Sequence, residues 1–438
     1  MKYLADLHIH SHFSIATSKE LVPEYLDLWG RIKGITVVGT GDFTHPGWTK
    51  ELKKKVEPAE SGLFQLKPKL RLDQGPIHDN TSNGHIRFAL SAEISTIYKK
   101  GDKTRKVHHL ILAPSFKAVE TIQQKLGRIG NITSDGRPIL GLDSRNLLEI
   151  VMEADDNCLF VPAHIWTPWF SALGDKSGFD SIDECYGDMA RHIHAIETGL
   201  SSDPAMNWRC SFLDRFTIIS NSDAHSPQKL GREANCLETE LSYDAMTQAI
   251  RTGDPKHFKG TLEFYPEEGK YHHDGHRKCH ISWDPKETRK HDSLCPVCGQ
   301  RVTVGVLNRV QQLADREDGT ARPNRHRFHS MIPLKEVLSE ILNVGPNSNK
   351  VAGHYDALID KLGSEFNVLL YRNIAELRSA GGDTLAEAMR RMRGGQVHVH
   401  AGYDGEFGVI KVFTEKERQA LPQHPMPGVA PQRSKRKT

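Results

Sequence analysis

Through the first 260 residues, short runs rich in apolar and β-branched side chains alternate with amphipathic stretches of helical period, and few folds accommodate that order. Residues 3–9, 35–40, 86–93, 107–113, 158–163, 195–197 and 216–220 read as strands. Helical stretches lie between several of them: 21–32 after the cap signal Thr17-Ser18, 116–129, and 145–154 opened by Asp143-Ser144. Strands and helices that alternate in this way pair in parallel through crossover connections. No glycine-rich dinucleotide fingerprint follows the first strand, and histidines crowd the strand ends, which favours a closed barrel over an open sheet.

The alternation stops near Gly253-Asp254-Pro255. Residues 270–305 read as a small metal-stapled unit. Residues 306–415 read as a compact α+β domain with helices near 333–342, 351–366 and 374–393. A hairpin from 396–401 and 408–413 turns about Gly402-Tyr403-Asp404-Gly405. Residues 416–438, rich in Pro, Gln and base toward the end, are expected to form a disordered basic tail. The fold expected is therefore α/β: a distorted (β/α)7 barrel over 1–260, a zinc ribbon, and a carboxyl-terminal α+β domain.

Charge is uneven along the chain. Residues 1–260 carry 31 basic and 33 acidic side chains, and residues 261–438 carry 27 and 22, so a half suited to metals precedes a half suited to a polyanion. Of seven cysteines, Cys279, Cys295 and Cys298 share one short stretch, which is metal-site usage and not a disulfide framework. The opening residues enter a strand-like segment at once, and no apolar run approaches membrane-spanning length. A soluble, reducing, cytoplasmic setting without membrane contact is the expectation.

Asp6-Leu7-His8-Ile9-His10 closes the first strand, and strand alternation points His8 and His10 the same way. The second strand ends Gly41-Asp42-Phe43-Thr44-His45, the third Ala92-Glu93, the fourth carries His108-His109, the fifth ends Ala163-His164, and the seventh ends Ser222-Asp223-Ala224-His225. Each strand end delivers a ligand type to one face. Imidazoles with bridging carboxylates suit zinc or manganese, and a cluster of such ions stabilises the attacking and leaving oxygens of a phosphate ester.

These residues in this order resemble the PHP (polymerase and histidinol phosphatase) superfamily. The resemblance implies a PHP-type barrel with two or three divalent metals, zinc or manganese, with magnesium for activity. It implies His8, His10, Glu93, His109, His164, Asp223 and His225 as ligands, with Glu93 as the bridge and catalysis centred on Asp223, Glu93, His8 and His10. Asp42 stands where many members have histidine and joins the ligand set, with His45 as the alternative. His12 and His108 are read as neighbours, because adjacent strand residues face opposite sides.

His276-x-x-Cys279 and, fifteen residues on, Cys295-x-x-Cys298 have the spacing of a two-knuckle zinc ribbon holding one structural zinc. His273, His280 and His291 compete with His276 as donors, and Ser282 stands where a second thiol would complete the first knuckle. The barrel, the ribbon, Ile332-Pro333-Leu334-Lys335-Glu336 and the closing Gly402-Tyr403-Asp404-Gly405 are together similar to the endonuclease Q family. So are Thr40-Gly41-Asp42-Phe43-Thr44-His45-Pro46 and His164-Ile165-Trp166-Thr167-Pro168-Trp169.

That likeness implies an endonuclease cutting DNA 5′ to uracil, hypoxanthine, xanthine or an abasic site. Its partner is DNA carrying such nucleotides, with a sliding clamp or another repair protein as a further candidate. Trp166, Trp169 and Phe170 then wall the lesion pocket or belong to the core. Asp203, Asn207 and Arg209 contact substrate or serve as cap and surface pairs. Arg322, Arg325 and Arg327, interleaved with His326, Phe328 and His329, form the basic-aromatic patch. His398-x-His400 lacks carboxylate partners and reads as a decoy, and the competing function is a phosphatase of a small phosphomonoester such as histidinol phosphate.

Overall fold

A computed structural model describes residues 1–73, 85–317 and 326–420, and has the mixed α/β architecture. Its main sheet begins with β1 (Lys2–Asp6), β2 (Val37–Gly39), β3 (Val56–Pro58), β4 (Phe64–Leu66), β5 (Arg87–Lys100), β6 (Lys103–Ala113), β7 (Ile139–Leu140) and β8 (Leu159–Pro162). Two short strands, β9 (Ala195–Glu197) and β10 (Thr217–Ile219), pair in parallel with each other apart from that sheet. β11 (Ala234–Glu238) and β12 (Phe258–Glu263) return to it. Further on come the hairpin β13 (Asp274–His276) and β14 (Ile281–Trp283), the strand β15 (Arg327–Ser330), and the hairpin β16 (His398–His400) and β17 (Val409–Lys411).

The main sheet has eleven strands among the described residues, in the order β15-β12-β11-β1-β2-β5-β4-β3, with β6 and β7 on β5 and β8 on β6. Its pairing is mixed. β1, β2 and β5 run parallel, as crossover helices require, but β5 and β6 form one long antiparallel hairpin over eleven partnered positions. The turn is Gly101-Asp102, with Gly101 left-handed at φ 61°, too short for the crossover expected before residue 107. β11 is likewise antiparallel to β1. The expectation of uniformly parallel strands is thus corrected, because tight turns leave no room for helices there.

Helices cover the sheet with their apolar sides. Ser115 caps Phe116–Leu126 and Asp143 caps Ser144–Ala154 through side-chain oxygens on backbone amides. The first helix, Pro23–Lys33, starts on proline with Val22 as its cap residue. Thr17 is not a cap there, since its hydroxyl donates to the carbonyls of Ser11 and Ser14. The core spans both faces of the sheet, with Trp48, Phe88, Ile122 and Leu148 in one cluster and Leu110, Val161 and Ile250 in another. Each such side chain contributes roughly 1.5–3 kcal/mol on burial.

Beyond residue 260 the sheet continues, because β15 joins β12 in parallel register. Helices Leu334–Leu342, Asn349–Leu362 and Ile374–Arg393 follow, the second stopping at Gly363, whose φ is 93°. Lys33 Nζ lies 2.6 Å from Glu365 Oε2, tying this part to the first helix. Glu415–Ala420 is helical, against the expectation that the tail begins at 416; residues 421–438 lie outside the described residues. No helix among the described residues is long and apolar enough to cross a membrane.

Fully buried Asn235 links β11 and β1 to the segment after β10. Its amide donates to the carbonyls of Ala5 (3.2 Å) and Ser220 (2.9 Å) and to Asn221 Oδ1 (2.9 Å), and its oxygen accepts from Ser220 N (3.1 Å). Asn235→Ala strands these groups without water, so we expect it to lower unfolding stability by about 3 kcal/mol in urea titration. A loss within experimental error would contradict the linking role.

Candidate metal centre

Ligand-type side chains from the segments after β1, β8 and β10 meet others from the interiors of β5 and β6. His8, His10, Glu93 and Asp223 place one ligand atom each within 4.8 Å of one another, and Glu93, His108 and His164 form a second such group. Glu93 belongs to both, and its two oxygens divide the work. Oε2 lies 3.7 Å from His8 Nε2 and 3.4 Å from His10 Nε2, while Oε1 lies 2.5 Å from His108 Nδ1 and 3.1 Å from His164 Nε2. Asp223 Oδ1 completes the first group, 2.9 Å from His10 Nε2 and 3.9 Å from His8 Nε2.

Local backbone aims several of these groups. Asp42, His164 and Asp223 all have positive φ (50°, 28° and 47°), so each turns back over the mouth directly after its strand. Gly199 sits against His164, where a β-carbon would lie 2.4 Å from the His164 Cβ, so only glycine lets the two chains approach.

A second ring of polar groups orients the donors. His8 Nδ1 faces both Glu197 oxygens (3.0 and 2.9 Å), His10 Nδ1 faces Asp42 Oδ1 (3.2 Å), and His164 Nδ1 faces Thr167 Oγ1 (3.1 Å). Each arrangement leaves Nε2 as the inward donor, which is how histidine ligands are fixed. Glu197 also accepts from His164 N (2.9 Å) and Asn221 Nδ2 (2.8 Å), and Asp42 accepts from Ser11 N (2.6 Å), Ser11 Oγ (2.7 Å) and Ser14 Oγ (2.9 Å).

The electrostatics call for cations. Burial alone would raise the Glu93 carboxyl, but His108 and the Arg137 guanidinium hold it well below the usual carboxylate range. Arg137 reaches Glu93 Oε2 at 3.0 Å. Burial would also raise Asp223, and contact with His10 brings it down instead. For the imidazoles burial works downward, yet Glu197 and Glu93 lift His8 well above its ordinary value, and Asp223 and Asp42 lift His10 to about 10. Protons on His8 and His10 therefore balance buried carboxylates, a task divalent cations would perform with both rings neutral. His8 Nε2 fits that reading, being buried without a hydrogen-bond partner and directed into the group.

Several expected site residues stand elsewhere. His109 points away: β5 and β6 pair Ser95 with His108 and Ile94 with His109, so His108 shares the face of Glu93 and His109 the opposite one. There His109 Nε2 meets Thr96 Oγ1 (3.0 Å) and Nδ1 meets the Tyr186 hydroxyl (2.9 Å). Asp42 lies behind His10 and does not enter either group. His225 is at the solvent rim, 40% exposed, its ring 4.6 Å from that of His10 and its Nδ1 on the Asp223 carbonyl (2.8 Å). His45 caps the helix Pro46–Lys55 by accepting from Gly47 N, and His12 pairs with Glu51.

The proposed substrate contacts also separate. Trp166 is fully buried and donates to Asn207 Oδ1 (2.8 Å), so both are internal supports and not pocket walls. Asp203 caps the short helix Pro204–Asn207, and Arg209 is engaged with Gln311. Phe170 does border the site, with its ring 4.8 Å from that of His108, and Trp169 beside it is 42% exposed. Arg327 stands in register with Gly260, which partners Cys236, itself opposite Leu4 near the amino end of β1. It lines a cavity of about 830 Å³ there with Lys2 and Arg372, away from the ligand groups. Arg322 and Arg325 lie outside the described residues. His108, read from the sequence as a neighbour, takes the place expected of His109. Glu197 and Arg137 were not singled out by sequence reasoning; only the strand-end position of Glu197 could have pointed to it.

The second cluster is separate. His276, Cys279, Cys295 and Cys298 hold their ligand atoms within 4.8 Å of one another, with His276 Nδ1 3.4 Å from Cys298 Sγ. Among the competing histidines, His291 instead stacks on Trp283 at 4.5 Å. Three thiols and an imidazole gathered this closely fit a structural zinc.

Residues 333–396 match the family model of the MJ0043 C-terminal domain. The protein MJ0043 of Methanocaldococcus jannaschii is 32% identical over 282 residues, 60% of this chain, and the match spans about a third (34%) of that relative's length. The crystal structure of the lesion-specific endonuclease PfuEndoQ from Pyrococcus furiosus superposes with a TM-score of 0.81 at 29% identity, covering 96% of this chain and all (100%) of that one. Endonuclease Q crystallised with a 27-mer duplex carrying an abasic lesion at its active site gives 0.80 at 30% identity, over 95% of this chain and 98% of the other. A likeness of that extent, covering nearly the whole of both chains, means that this chain belongs to the endonuclease Q family.

Proposed function

We propose that this protein is a lesion-specific DNA endonuclease that hydrolyses the phosphodiester 5′ to a deaminated base or abasic site. One observation carries the reading: Glu93 offers one oxygen to each of two histidine-containing groups, beside the partly exposed Asp223. His8, His10, Glu93 and Asp223 would hold one divalent cation, and Glu93, His108 and His164 a second. Bound there, such ions supply Lewis acidity to the phosphoryl oxygens and lower the pKa of a water.

The chain's own residues set the stage for that chemistry. Glu197, Asp42 and Thr167 fix the ring orientations of His8, His10 and His164. Arg137, 29% exposed beside Asp223 (25%), offers a positive charge at the rim where phosphate would enter. Phe170 walls the pocket next to His108. Residues 1–260 are read as a distorted PHP-type barrel: β8 lies beside β9 and β10 beside β12, which supports a ring even without continuous hydrogen bonding. Residues 270–305 are read as the zinc module and 306–415 as the part that engages DNA, in a cytoplasmic protein. A phosphatase of small phosphomonoesters would leave both without a task.

Purified protein with manganese or magnesium is expected to nick a duplex holding one abasic site or deoxyuridine and spare the matched control; equal cutting of both would defeat lesion specificity. His108→Ala should lose bound metal and more than about 100-fold in activity. His109→Ala should keep its metal and lose about 2 kcal/mol of stability. If metal analysis finds the reverse, the facing of the two histidines is wrong. Cys295→Ser should release one zinc equivalent and lower the melting temperature, while a variant with unchanged zinc content would remove the cysteine cluster from the account.

A further inference from the structure

The loop between β16 and β17 presents Phe407 to solvent at 69% exposure. Its setting is rigid. Gly402 N donates to the Glu267 carbonyl (2.7 Å), Gly408 N to that of Glu268 (3.0 Å), and His273 N to that of Gly402 (2.9 Å). Neither glycine tolerates a side chain, since a β-carbon would meet backbone of residues 267–269 at 2.4 Å or less. Asp404 then fastens the loop to the cysteine cluster, accepting from Arg277 N (2.7 Å), next to His276, and from Thr303 Oγ1 (2.6 Å).

Cations and further rings surround it. Lys270 Nζ lies 4.5 Å from the Phe407 ring centre, and the Arg277 guanidinium and Tyr271 hydroxyl flank Gly405. Lys270 and Arg277 are exposed. Tyr271 meets exposed Trp169 edge to face at 5.4 Å, and the next residue, Phe170, lies against His108. A series of aromatic and cationic side chains thus leads from His108 through Phe170, Trp169 and Tyr271 toward the loop of Phe407. An exposed ring with an ammonium over its face and a guanidinium against the same loop matches a ligand with flat π-faces and a phosphate backbone, and does not match an apolar peptide.

We infer that Phe407 is a lesion-recognition residue that stacks on a base of the DNA substrate left without its stacking neighbour at the damaged site, with Lys270 and Arg277 on the adjoining phosphates. This rests on the endonuclease reading above. Phe407 acts in selecting the lesion and takes no part in bond cleavage. The cysteine cluster acquires a function through it, since its metal would keep the loop in place.

The test is fluorescence anisotropy with labelled duplexes, one with a single abasic site and one intact, titrated with full-length protein carrying Asp223→Asn to prevent cutting. Phe407→Ala and Phe407→Leu should bind the abasic duplex about tenfold more weakly and the intact one unchanged, and Phe407→Trp should restore the preference. Wild-type preference in a folded Phe407→Ala or Phe407→Leu protein overturns the inference, as does equal weakening on both duplexes. A parent protein with no preference for the abasic duplex defeats the endonuclease reading instead, and this inference with it.

Discussion

A buried carboxylate that cannot remain charged without company organises this protein. Glu93 is withdrawn from water in the middle of β5, and an isolated carboxylate there would cost several kcal/mol. Its two oxygens are met by four imidazoles and one guanidinium, drawn from the segment after β1, from β6, from the segment after β8 and from the segment before β7. The strands are held in the order that makes this meeting possible, so the demand of one charge for counter-charge is written into the topology.

Support radiates outward from that point. His8 is oriented by Glu197, Glu197 by Asn221, and Asn221 by Asn235, whose remaining bonds tie β1 to the backbone after β10. Metal affinity and sheet stability are therefore coupled through one line of buried amides and carboxylates. Left-handed turns at His164 and Asp223 serve the same end by turning the chain so that these side chains join the groups around Glu93. The cysteine cluster does comparable work at a distance, gripping the β16–β17 loop through Asp404.

Much of this was legible in the sequence, and what was not has a physical reason. Period-two alternation put His8 and His10 on one side, and strand-end position brought His164 and Asp223 into view, whereas Glu93, read as the end of its strand, lies in the middle of β5. Alternation also says that His108 and His109 face apart, but which one faces inward depends on the pairing of β6 with β5, a non-local register no local pattern encodes. Asp42 and Glu197 are carboxylates of the same kind as Asp223; only three-dimensional distance separates an orienting partner from a ligand. Trp166 and Trp169 sit in one motif, yet one is sealed in the core and the other open to solvent. Gly101-Asp102 is a hairpin signal present in the sequence that the reading of regular alternation passed over.

The central claim is that Glu93 bridges two cation sites. Anomalous diffraction from crystals grown with manganese tests it directly. The account predicts two peaks on either side of the Glu93 carboxylate, one within bonding distance of His8, His10 and Asp223, the other of His108 and His164. Crystals that hold manganese elsewhere and show no peak beside Glu93 would contradict it.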